Sequence, residues 1–260
     1  MMRLTPIVKN LLIINVIVFG LQKLIPVLGV TEMFSLWKLG SVHFQPYQFL
    51  TYMFAHGSFF HIMFNMLGLV FLGPLLETFW GPKRFLTFYL VTGIGAALIY
   101  SSIEYYSVAK VKNQVETYLA DPGPDQFNTL MSNTYGLNPQ LYNFIDQYSR
   151  NPNDETLEKK SISLARELLD LKQNFGSMLG ASGAIYGILM AFGLIFPNLE
   201  LMLIFPPIPV KAKYLVLILG GIALYSGLQG NPGDNVAHFA HLGGMIFAYI
   251  MIRYWRSKGE

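Results

Sequence analysis

The sequence predicts an all-α membrane protein, a bundle of six transmembrane helices with a helical extramembrane insertion. Three observations carry this reading. Of 260 residues, 53% are hydrophobic and 13% charged, with mean hydropathy +0.41, whereas an ordinary soluble domain is about 25% charged. Six apolar stretches come close to the roughly 20 residues that a helix needs to cross a bilayer. Between the third and fourth lies a polar block of different composition. The chain has no cysteine, which excludes a disulfide framework and a thiolate metal centre. A net charge of +3 is too small to mark a nucleic-acid partner, so a lipid bilayer is the expected surrounding.

The first apolar stretch covers residues 7–28 and follows a short segment carrying Arg3 and Lys9. No small-residue cleavage site follows it, so it reads as a retained span and not as a signal peptide. The second and third cover 57–79 and 85–103, and the fourth to sixth cover 179–196, 214–228 and 236–254. The chain thus divides into spans one to three (1–103), an insertion (104–175) and spans four to six (176–260). Basic residues in the short loops set orientation. Arg3, Lys9, Lys83, Arg84, Lys211, Lys213, Arg253, Arg256 and Lys258 fall on one side, and only Lys23 and Lys38 occupy the short loops of the other. Both termini are therefore expected to be cytoplasmic and the insertion external.

The insertion is not low-complexity. Residues 101–176 carry 7 Lys and Arg against 10 Asp and Glu. Val108, Val111, Val115, Tyr118 and Leu119 recur at helical spacing, as do Leu157, Ile162, Leu164, Leu168, Leu169 and Leu171. Asn153 or Asp154 is the expected N-cap of the second pattern, and Asp121-Pro122-Gly123-Pro124 reads as a turn. A tolerated loop is the plain interpretation. A lid or substrate-docking element is the sharper one, because loops beside active sites often gate them.

Polar side chains in lipid are costly and mark functional sites. Ser182 opens the fourth span, His61 and Asn65 lie in the first two turns of the second, and His238 and His241 in the first two turns of the sixth. At about 1.5 Å rise per residue, all fall within roughly 10 Å of the outer boundary. A serine becomes a nucleophile when a base takes its proton, and histidine is the commonest base. His61 and Asn65 are spaced i, i+4 and share a helix face, so both can donate toward one developing oxyanion. The Ser182 N–H, near a helix start, is a third donor. Gly183, Gly187 and Ala191 form a small-residue stripe, matched by Gly244 and Ala248, and such stripes let helices approach closely. Gly180-Ala181-Ser182-Gly183 alone is equally a packing motif, and either histidine alone an interhelical hydrogen-bonder. Their shared depth favours a site for peptide-bond hydrolysis.

Three motifs carry a family resemblance: His56-Gly57-Ser58-Phe59-Phe60-His61-Ile62-Met63-Phe64-Asn65, Gly180-Ala181-Ser182-Gly183-Ala184-Ile185-Tyr186-Gly187, and Ala240-His241-Leu242-Gly243-Gly244. With them the chain resembles the rhomboid intramembrane serine proteases of bacterial type, and Glu77 also fits that pattern. The resemblance implies a six-span rhomboid bundle in a bacterial inner membrane, acting on transmembrane protein substrates without a cofactor or metal. It implies Ser182 as nucleophile and His241 as base, with His61, Asn65 and the Ser182 N–H lining the oxyanion hole. Tyr186 would pack on the His241 ring, and Gly244 would meet the fourth span; this spacing favours His241 over His238. Glu77 reads as a cap on neighbouring backbone near the inner interface. Tyr47-Gln48 stands where many relatives carry Trp-Arg in the first external loop, which questions how that loop is anchored. A non-catalytic rhomboid-like chaperone is the alternative, although such relatives typically lack the serine or the base. A transporter would favour inverted repeats, and none is evident.

Overall fold

The computed structural model describes residues 4–134, 139–202, 207–229 and 237–259. Eleven α-helices occur among them: α1 Pro6–Leu24, α2 Val30–Phe34, α3 Gln48–Thr51, α4 Phe59–Trp80, α5 Pro82–Ala120, α6 Pro124–Thr134, α7 Pro139–Arg150, α8 Glu155–Asn174, α9 Ser182–Ile195, α10 Ala212–Gln229 and α11 His238–Ser257. One hairpin, β1 Glu200–Met202 against β2 Pro209–Lys211, departs from the expected all-helical content. The chain forms two compact units, one of Met1–Trp37, His43–Ser101 and Ser177–Glu260, the other of Lys38–Val42 and Ser102–Gly176.

In the first unit, α1, α4, α5 and α10 are long and apolar enough to cross a membrane, and α9 is a shorter apolar helix of 14 residues. Its expected span began at residue 179, but the helix starts at Ser182 because Gly180 adopts φ +119°, a conformation that breaks the helical path. The first span stops at Leu24 and not at residue 28. Pro26 disfavours helix in the residue before it, and Pro26–Leu28 form a separate 3-10 turn. The start of the sixth expected span, Val236, lies outside the described residues.

Small and large apolar side chains from α1, α4, α5, α9 and α11 share one core, including Leu11, Leu69, Phe88, Ala184, Ile188 and Ala248. Phe64 and Phe71 of α4, Leu217 and Ile218 of α10, and Ile246 and Ile250 of α11 are instead exposed. An apolar surface on helices whose backbone bonds are satisfied internally is what lipid contact requires.

Polar side chains inside this unit fasten helix ends. Thr5 precedes α1 with Pro6 at its first helical position, and no side chain of α1 itself caps it. The cap comes from Glu77 on α4. Its carboxylate accepts from Thr5 Oγ1 at 2.5 Å, Ile7 N at 3.0 Å and Val8 N at 2.9 Å. Those N–H groups have no intrahelical acceptor, and the helix dipole favours a negative group there.

The second unit is a folded helical body. The patterns expected around residues 108–119 and 157–171 form the extension of α5 and α8, with Asp154 as N-cap accepting from Thr156 N at 2.8 Å and Leu157 N at 3.3 Å. α5 does not end near residue 103 but continues to Ala120, and α6 and α7 were not anticipated. Phe127, Leu130 and Met131 of α6 and Phe144, Ile145 and Tyr148 of α7 complete a core with Val115, Leu157 and Leu168. A buried core of its own distinguishes this segment from a loose loop. Lys38 belongs to this unit. Its ammonium donates to the carbonyls of Lys172 and Phe175, each at 2.8 Å, closing the end of α8, and lies 3.6 Å from Glu104. Burial holds its pKa below the usual lysine value, against the opposing pull of Glu104.

Replacing Glu77 by Gln puts an amide N–H₂ among three donors. Glu77→Gln is expected to lower stability by about 2 kcal/mol and Thr5→Ala by about 1 kcal/mol, read by equilibrium unfolding in mixed micelles.

Candidate active site

Ser182 is the first residue of α9 and His241 the fourth of α11. Their side chains meet: His241 Nε2 lies 2.8 Å from Ser182 Oγ. The bond goes to His241, while the His238 ring stands edge-on to it with centroids 6.2 Å apart. His241 is 8% exposed, and its Nδ1 has no hydrogen-bond partner among the described residues. Asp234, the acidic residue nearest in sequence, lies outside them. Among the described residues the imidazole is held by a ring and not by a carboxylate. Tyr186, one turn beyond Ser182, stacks face to face on it, centroids 4.1 Å apart and planes 5° apart.

Close helix approach makes the Ser182–His241 bond reachable. A Cβ added to Gly244 would fall on the carbonyl oxygen of Gly183, so α9 and α11 touch backbone to backbone. Gly183 packs in turn against Ala96 of α5, and a Cβ on Gly187 would come within 2.7 Å of Thr92.

His61 and Asn65 converge on the residue two before the serine. At Gly180, φ +119° already demands glycine, and a Cβ would lie 2.5 Å from His61 Nε2 and 3.6 Å from Asn65 Nδ2. Asn65 is buried, and its Nδ2 has no partner among the described residues. A buried donor without an acceptor is uncommon. Beside it, the Ser182 N–H occupies the first helical position, where no intrahelical acceptor exists. Ser182, His241, Tyr186, His61, Asn65, Gly180, Gly183 and Gly244 thus form one group. Glu77 does not belong to it, lying twelve residues beyond Asn65, about 18 Å along α4. Among the described residues no cluster of His, Asp and Glu is placed to hold a metal ion.

Several residues that shape the site carry no role legible in the sequence. The Tyr52 carbonyl accepts the Gly180 N–H at 2.8 Å, and the Tyr52 hydroxyl donates to the Gly93 carbonyl at 2.7 Å. Leu36 and Met178 exchange two backbone hydrogen bonds of 2.8 and 2.9 Å, fixing the strand that enters Gly180. Gln48 is buried and ties the first loop through neutral bonds: its Oε1 accepts from Gln45 N at 3.1 Å and Trp37 N at 3.3 Å, and its Nε2 donates to the His43 carbonyl at 3.0 Å.

A Rhomboid domain family model matches residues 43–111 and 161–258, more than half of the chain and every residue of this group. A curated relative, RHOMBOID-like protein 12, mitochondrial, of Arabidopsis thaliana, is 26% identical over 214 residues, covering 82% of this chain and 46% of the relative. The chain therefore spans about half of that relative's length.

Gly244→Ala is expected to force α11 away from α9 and stretch the Ser182–His241 bond. A misplacement near 1 Å costs about 10²-fold in reactivity, which the rate of Ser182 labelling by a fluorophosphonate checks, with Gly221→Ala, whose added Cβ meets nothing within 4 Å, as the control.

Proposed function

Starting from the fact that the chain belongs to the rhomboid family, we propose that this integral membrane protein is an intramembrane serine endopeptidase working through a Ser182–His241 dyad. The 2.8 Å bond between Ser182 Oγ and His241 Nε2 carries the reading. It also supports this reading over the alternative, a non-catalytic rhomboid-like protein, which has no need of a hydroxyl aligned on an imidazole.

In the proposed reaction Ser182 Oγ attacks the carbonyl carbon of a peptide bond while His241 Nε2 accepts the hydroxyl proton. The oxyanion that forms is met by the Ser182 N–H, Asn65 Nδ2 and the His61 ring; the convergence of His61 and Asn65 on Gly180, two residues before Ser182, supports this role. His241 then gives its proton to the leaving amine. A water, deprotonated by the same imidazole, attacks the acyl ester and restores the serine. The Tyr186 stack supplies the orientation that a third, carboxylate member supplies in a triad.

The length of α9 supports a shallow site. Fourteen residues make about 21 Å of helix, against a hydrocarbon layer of about 30 Å. With its far end at one boundary, the Ser182 end lies roughly 10 Å below the other, where water has a short path. The charge asymmetry of the loops supports an outer position for that boundary. A helical substrate hides its peptide bonds, so cleavage requires local unwinding. Glycine and proline lower that cost, and transmembrane segments containing them are the proposed substrates.

Ser182→Ala and His241→Ala are each expected to abolish cleavage of a model transmembrane substrate at unchanged protein levels. Asn65→Ala is expected to lower kcat by about 10²-fold, the size of one lost oxyanion donor. Normal turnover by Ser182→Ala would refute the assignment.

A further inference from the structure

We propose that His56 is a positioning residue that fixes the Gly180–Ser182 turn and the His61 ring together, and that Gln22 of α1 anchors it. The proposal rests on the peptidase reading above. His56 is fully buried in the link between the 3-10 turn Tyr52–Phe54 and α4. Its Nε2 accepts the Ala181 N–H at 3.4 Å, and its ring packs edge to face on His61 with centroids 5.0 Å apart. One side chain thus touches the residue before the proposed nucleophile and a proposed oxyanion donor. Its backbone N–H donates to Gln22 Oε1 at 3.0 Å, and Gln22, itself buried, donates from Nε2 to Thr31 Oγ1 at 3.0 Å.

The physical need lies in the N-terminus of α9. The N–H groups entering a helix have no intrahelical acceptor, and Ala181, at the N-cap position, has no side chain to supply one. The loop before α4 supplies acceptors from outside. The Tyr52 carbonyl takes the Gly180 N–H and His56 Nε2 takes the Ala181 N–H. The next N–H, that of Ser182, is left for the oxyanion. An aromatic ring of similar size without a lone pair fills the space but leaves Ala181 unbound, so the turn is free to rotate the wrong N–H inward.

The test compares wild type with His56→Phe, His56→Gln and Gln22→Leu, full length in proteoliposomes. It reads kcat and KM on a model transmembrane substrate, the fluorophosphonate labelling rate of Ser182, Tm, and hydrogen–deuterium exchange of residues 177–183. His56→Phe is expected to lower kcat and labelling by about tenfold or more, with KM within about twofold, and to speed exchange in 177–183. In His56→Gln the amide oxygen can accept the Ala181 N–H, so both rates and exchange return toward wild type. Gln22→Leu shifts them in the same direction as Phe, by less. A drop in Tm alone, with kcat, labelling and exchange unchanged in His56→Phe, overturns the proposal, as does equal impairment of the Gln and Phe variants. If wild type neither cleaves nor labels at Ser182, the peptidase reading fails, and exchange in 177–183 alone decides whether His56 holds the turn.

Discussion

One hydrogen bond between two helices sets the terms for the membrane-spanning unit. A hydroxyl and an imidazole carried on α9 and α11 must come within 2.8 Å, whereas packed helices usually run 8–10 Å apart with side chains between. At the crossing beside this pair no side chain separates the two backbones. Gly244 presents bare backbone to the Gly183 carbonyl. In lipid no hydrophobic gain draws the helices together, so this contact depends on dispersion between close backbones. The arrangement also explains why neighbouring positions are small, since Gly183 meets Ala96 and Gly187 meets Thr92.

Around that contact the unit handles polar groups in two ways. Away from the site they are tied to backbone: Glu77 to the start of α1, Gln48 across the first loop, Asn15 Nδ2 to the Leu11 carbonyl. At the site, Asn65 Nδ2 and His241 Nδ1 are buried without partners among the described residues. Unmet hydrogen-bonding capacity is expensive, and two of these atoms lie beside the serine that is bonded to His241.

The helical bundle could be read from the sequence because it depends on local apolar patterning, whereas the Ser182–His241 pairing, 59 residues apart, was implied by the resemblance to a family. His61 and Asn65 share a face by i, i+4 geometry, and the Gly183 and Gly244 stripes announce a close crossing. Other parts depend on partners far along the chain. Glu77 and Thr5 are 72 residues apart, and His56 and Ala181 are 125 apart. No local pattern reports that a glutamine at position 48 ties the first loop together through neutral bonds. α5 passed its expected end because hydropathy falls where the apolar run stops, while helix propensity in Glu104 to Leu119 does not. α6 and α7 are short, so their apolar patterns are weak in the sequence, although Phe127, Leu130 and Met131 sit at helical spacing. The β1–β2 hairpin is three residues per strand, too short for alternation to register.

The Tyr186–His241 stack has a further consequence for charge. While the imidazole is neutral, the tyrosine face is a flat wall that fixes its plane. Once the imidazole takes the serine proton in the proposed reaction, the same face, with ring centres 4.1 Å apart, lies against a cation and falls within the roughly 6 Å range of a cation–π interaction. The electron-rich face then stabilises charge without adding a formal negative charge to a low-dielectric site. An aromatic ring thereby links the two protonation states of the base, holding its direction in one and easing its charge in the other.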